Sequence, residues 1–176
     1  MKMLGKTGTK GRYPVGKKSF CALGAFVLAF ALLAAPFAQA TEVTRESYKE
    51  AVEPICKTNV QANERILKGV KGKVKAGQLK PAAAQFTKAA GALHKAIGKL
   101  KAVPQPPADQ AKLSKWLKYI EEEEGFFLQI AKKLKAGDKN GATAMQIRLS
   151  HTATLANNQV LAFEFKYCRV EPSKFS

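Results

Sequence analysis

From Thr44 onward the apolar residues recur every three or four positions, the spacing of a helix face rather than the alternation of a strand. Four such runs predict four helices. The first covers about 44–76, with Tyr48, Val52, Ile55, Ala62, Ile66 and Val70 on its apolar face. Pro54 inside that run predicts a kink or a later true start. The second begins near Pro81, a favoured first-turn residue, and carries Phe86, Ala90, Leu93, Ile97 and Leu100. The third follows Pro106-Pro107 with Asp109 near its start. Its seam is Leu113, Leu117, Ile120, Phe127, Ala131 and Leu134, and Gly137 ends it. The fourth runs from about Asn140 through Met145, Leu149, Thr152, Ala156, Phe163 and Tyr167. No strand-like alternation bounded by hairpin turns interrupts them. The predicted fold class is all-α, an antiparallel up-down-up-down four-helix bundle.

The pattern before Thr41 is of another kind. Six cations without an acid (Lys2, Lys6, Lys10, Arg12, Lys17 and Lys18) precede an apolar run from Phe20 to Ala35. Ala38-Gln39-Ala40 then supplies small residues at the positions a signal peptidase reads. The expected organisation is a signal peptide over 1–40 and a bundle domain over 41–176, with no transmembrane helix after cleavage. Retention as an anchor is the alternative, although sixteen apolar residues are short for a span of about 20. Gly5-Lys6-Thr7 imitates the end of a phosphate-binding loop but lacks the preceding strand and glycine. Cys21 precedes the apolar run, the wrong side for lipidation.

Removing that segment leaves two cysteines, Cys56 and Cys168, and an even pair in an exported chain predicts one disulfide. The helix breaks give an independent check. They centre near 78–79, 105–106 and 138–139, and short connections make successive helices antiparallel neighbours. Reflecting Cys168 on the fourth helix through those centres leads to position 109, then 102, then 55. Cys56 is one residue away, so the two thiols are expected level on the first and fourth helices.

Few side chains offer chemistry. His94 and His151 are the only histidines. By the same reflection they lie nine residues apart in height, roughly 13 Å at the helical rise, too far to share a metal. Glu121–Glu124 is the one acidic run, and its member nearest the seam is read as Glu124. A weak metal or acid–base alternative groups Glu124 with Glu64 and His94; the plainer reading is a solvated face opposite lysines. Gly125 beside it suggests a close crossing or a small kink. Asn59, Asn157 and Asn158 near the seams suit register-setting, and Phe163, Phe165 and Tyr167 suit packing around the crosslink. No nucleophile–base arrangement is available once both cysteines are bridged, so no catalysis and no cofactor are expected.

Charge is the informative surface property. The chain carries 30 Lys+Arg against 13 Asp+Glu, a formal +17, of which the first 40 residues hold six charges. Residues 68–88 and 131–148, which the reflections place at one end, contain eleven bases against Asp138 alone. Lys68, Lys71, Lys73, Lys75, Lys80, Lys132, Lys133, Lys135 and Lys139 are the candidate anion contacts. Such an end attracts anionic polymers or lipid headgroups. The absence of aromatics among the lysines argues against nucleic acid. Lysines near helix C-termini also simply complement the helix dipole.

The sequence also carries a Tyr-x(7)-Cys opening (Tyr48 to Cys56), a Leu-x-x-x-Pro-x-Pro-Pro hinge (Leu100 to Pro107) and an aromatic-rich ending on cysteine (Phe163 to Cys168). With these it resembles uncharacterised secreted helical-bundle proteins of actinobacterial type. That resemblance implies an exported helical fold and brings no activity. The expectation is a non-enzymatic, extracytoplasmic protein of the cell envelope whose basic end contacts anionic polymer or lipid. The alternative is a periplasmic or extracellular bundle that carries a metal or small ligand in its core. Nothing in the pattern fixes an oligomeric state.

Overall fold

The computed structural model describes residues 42–170. The export-signal reading falls on residues 1–40, outside the described residues. Among the described residues the chain is helical and contains no strand. Its elements are α1 (Arg45–Leu67), the short α2 (Val70–Lys75), α3 (Leu79–Lys101), α4 (Gln110–Lys135) and α5 (Lys139–Gln159). Single 3₁₀ turns cover Pro107–Asp109 and Leu161–Phe163. No described helix is long and apolar enough to cross a membrane.

Local chemistry sets these boundaries. Thr44 caps α1, its hydroxyl accepting from Ser47 N while the Ser47 hydroxyl accepts from Thr44 N. α1 starts nine residues before Pro54 and runs through it, so the proline does not delay the start. The run expected to continue to residue 76 instead breaks after Leu67. There Gly69 takes a left-handed φ of 75°, and α2 restarts the helix. The turns after α2 and α4 are copies of one motif. Lys73-Val74-Lys75-Ala76-Gly77 recurs as Lys133-Leu134-Lys135-Ala136-Gly137. In each the glycine has positive φ (75° and 79°) and the next residue's N–H reaches back to the first lysine's carbonyl, at 2.8 and 2.9 Å. α5 then starts on Asp138, whose carboxylate accepts from Gly141 N at 2.7 Å.

α3 packs against both α1 and α4, and α4 against α5. Alanines make the central position of α3 possible. Ala82, Ala83, Ala89, Ala90 and Ala96 are buried there, letting neighbouring backbones approach from two sides. The core is completed by Tyr48, Val52, Leu100, Leu113, Trp116, Leu134 and Val160, all essentially inaccessible. Between α3 and α4, Phe86 meets Phe127, His94 meets Glu124 and Lys101 meets Glu121. Gly125 marks no close crossing: nothing lies within 4 Å of the place its Cβ would take.

The fourth helix is shorter than the periodicity predicted. It ends at Gln159 rather than near Tyr167, because Val160 turns out of the helix and Glu164 adopts a left-handed φ of 50°. Residues 164–170 form an irregular tail. Cys168 therefore reaches Cys56 from the tail and not from a helix, and the two form a disulfide with Cα atoms 5.0 Å apart. Glu53 on α1 holds the same tail: its carboxylate accepts from Lys166 N and, at 2.9 Å, from Tyr167 N. Asn157 holds it from α5, donating to Val170 O at 2.8 Å and accepting from Val170 N at 2.9 Å. At the start of α4, buried Asp109 receives both Nε and Nη2 of Arg45 at 2.6 and 2.8 Å. That guanidinium also lies 5.7 Å from the centroid of Phe163.

Candidate functional site

Two places draw together the residues that could act on another molecule. The first is the lysine-rich end. α2 and the last turn of α4 both finish in lysines, where ammonium groups complement the exposed carbonyl end of a helix. Folding brings these segments and the start of α5 around one cleft of about 330 Å³. Val70, Val74, Phe86 and Leu134 give it an apolar floor, and Lys71, Lys75 and Lys139 stand on its wall. Val74 and Leu134 are equivalent positions of the repeated turn motif.

The nine candidate lysines differ in availability. Lys68, Lys71, Lys75, Lys80, Lys132, Lys135 and Lys139 are exposed. Lys73 donates to Gln85 Oε1 at 2.9 Å, and Lys133 to Asp138 Oδ2 at 2.9 Å. Asp138 is held below its ordinary value, first by the Gly141 N–H and then by Lys133. The single acid of this end is thus engaged locally. Its chemistry is that of a cationic surface over an apolar recess.

The second place is a cleft that reaches from the surface to buried polar groups. A cavity of about 290 Å³ opens between α1, α3, α4 and the tail, with Val60, Leu93, Phe127 and Tyr167 among its walls. Asn63 and Glu123 also line it and are 3% and 2% exposed. Asn63 donates to Asn59 Oδ1 at 3.4 Å, while its own Oδ1 and Glu123 Oε1 have no hydrogen-bond partner among the described residues. Burial pushes the Glu123 carboxyl up to about 8, so at neutral pH the protonated acid dominates.

Glu123, not Glu124, is the member of the acidic run that faces the core. It continues the row Trp116, Ile120, Phe127, Ile130 and Leu134 at strict four- and three-residue steps, a position where an apolar residue is ordinary. Glu124 turns toward α3 and pairs with His94, Oε1 to Nδ1, at 3.2 Å. His94 is 74% exposed in its side chain, so the pair is a surface one. Glu64 lines the mouth of the cavity. Among the described residues no group of three or more His, Cys, Asp or Glu is placed to hold a metal ion. His151 is exposed on α5.

The aromatic end is packed. Trp116 stacks near Phe165, with centroids 5.8 Å apart, and Phe165 on Phe163 at 5.1 Å. Tyr48 meets Phe163 edge-on at 5.9 Å. Tyr167 is half-buried against the core, with Lys57 and Lys166 over its ring at 5.4 and 5.3 Å. Compared with known proteins, the chain matches no family model, no curated protein and no solved structure.

Proposed function

We propose that this chain is a non-catalytic protein of the extracytoplasmic envelope whose lysine-rich end binds an anionic polymer or lipid surface. The observation that carries the reading is the common cleft of α2, α4 and α5. Lys71 and Lys75 of α2 and Lys139 of α5 stand there over an apolar floor that includes Val74 and Leu134, equivalent positions of two turns 60 residues apart. Exposed ammonium groups draw anions from solution, and a nearby apolar recess adds area once contact is made. Export is the companion proposal, with residues 1–40 removed as a signal peptide, and the Cys56–Cys168 disulfide suits an oxidising compartment. An up-down-up-down order is likewise inferred. For α3 and α4 it is supported by the pairs Phe86–Phe127, His94–Glu124 and Lys101–Glu121, whose α4 members step back from 127 to 121 as α3 advances, as antiparallel neighbours do.

Vesicle co-sedimentation tests the reading. The mature chain is mixed with vesicles of neutral lipid, or of neutral lipid containing an anionic fraction, at low and physiological salt. Binding is expected only with the anionic fraction and is expected to weaken as salt rises. Reversing Lys71, Lys75, Lys135 and Lys139 to glutamate should remove it; these lysines are exposed and carry no bond that holds the fold. Binding that is indifferent to salt and to the four reversals refutes the proposal.

A further inference from the structure

We infer that the cleft at Glu123 is a binding site for a small organic cation, a primary ammonium with an apolar body, independent of the lysine-rich end. Both side-chain atoms left without partners there are oxygens, Glu123 Oε1 and Asn63 Oδ1. Both belong to side chains at least nine-tenths buried, and both side chains line the same cavity. Buried acceptors of this kind are completed by a donor from outside. An ammonium supplies three N–H donors and a charge that offsets the carboxylate's burial, which a neutral or anionic guest does not.

The remaining walls set the size and shape of the guest. Val60, Leu93 and Phe127 form the apolar part of a cleft of about 290 Å³, near the lower end of small-molecule pockets at about 300 Å³. A single ring or a short chain fits that volume. The charged groups facing the cavity are Glu64 from α1 and Lys166 and Arg169 from the tail. All three are exposed and screened by solvent, and the Lys166 ammonium is turned over the Tyr167 ring. The only ionisable side chain buried in the site is therefore acidic, and a bound cation would favour its carboxylate form. Because the tail forms part of the wall, the disulfide and the Asn157 clamp also hold the cavity's shape.

Titration of the disulfide-intact chain followed by NMR tests the assignment, with benzylamine as probe and benzyl alcohol and benzoate as neutral and anionic matches of the same shape. Benzylamine is expected to bind at least about tenfold more tightly than either, the worth of a charge-assisted hydrogen bond. Its shift changes should centre on Asn63, Leu93 and Phe127. Glu123→Gln keeps the side chain's shape and should cut benzylamine binding by at least about tenfold while leaving benzyl alcohol unaffected. Val60→Phe, which fills the space without touching the acid, should block all three probes. Equal binding of alcohol and amine, preference for benzoate, full benzylamine affinity in Glu123→Gln, or no shift changes with benzylamine would each overturn the inference. The Lys→Glu reversals of the basic end leave this titration unchanged, so the two proposals fail separately.

Discussion

Placing one carboxyl in the core makes stability fall as pH rises, which is opposite to the behaviour of a salt-bridged carboxylate. Glu123 titrates at about 8 in the folded chain, against an ordinary value of 4.5. Between those values the unfolded chain has released its proton while the folded chain still holds it. The folded state therefore binds more protons, and raising the pH favours unfolding. Below 4.5 both states are protonated and no penalty exists; above 8 both are ionised and the penalty is complete, about 5 kcal/mol from the full separation. Most of the accessible change, about 3 kcal/mol, lies between pH 6 and 9. For a domain of this size that corresponds to roughly 10 °C in melting temperature. Urea unfolding of the disulfide-intact chain and of Glu123→Gln across that range isolates the effect, because subtracting the two profiles removes every other titration. The gap between them is expected to widen steadily in favour of Gln and to level off above pH 9. Parallel profiles would show that Glu123 is hydrated or otherwise satisfied, and would refute the reasoning.

Reducing the Cys56–Cys168 bond, which spans 112 positions, should lower stability by about 4–5 kcal/mol in a urea titration with and without reductant. Arg45→Ala strands the buried Asp109 carboxylate and should destabilise more than Arg45→Ala with Asp109→Asn together, a sign that a thermal double-mutant cycle reads directly. Asp109 lies below its ordinary value because of Arg45, so the pair's contribution is present above about pH 4 and is lost on acidification, opposite to Glu123. Gly141→Ala would put a methyl 2.2 Å from the Asp138 carboxylate that caps α5. It should cost about 1 kcal/mol, and little more when combined with Asp138→Ala, since both remove the same cap.

Helix identity was legible because burial imposes a period, and the rows Leu113–Leu134 and Phe86–Leu100 keep it without interruption. The disulfide partners were legible too, but the route to them was not. Phe163 and Tyr167 fit the helical step and concealed that Val160 turns the chain out of α5. What holds the tail is long-range: Glu53 and Asn157 supply hydrogen bonds that no local pattern announces. The break at Gly69 is hidden from the pattern because Ile66 and Val70 stay in register across it. In the acidic run, charge outweighed position. Glu123 stands at a core step of α4, four before Phe127 and three after Ile120, and the periodicity alone pointed to it. The repeated Lys-x-Lys-Ala-Gly turn is visible in the sequence, yet only the fold reveals that Val74 of one copy and Leu134 of the other line one cleft.

The tail fastening has a consequence in time. Cys168 is made more than a hundred residues after Cys56, and among residues 42–170 these are the only two cysteines. No wrong partner exists within that stretch, and the bond can form only once the final segment has been made. A chain that stops before Cys168 leaves Cys56 on α1 without its partner and the cleft without its tail wall. The crosslink is in this sense a latch that distinguishes a finished molecule from an unfinished one.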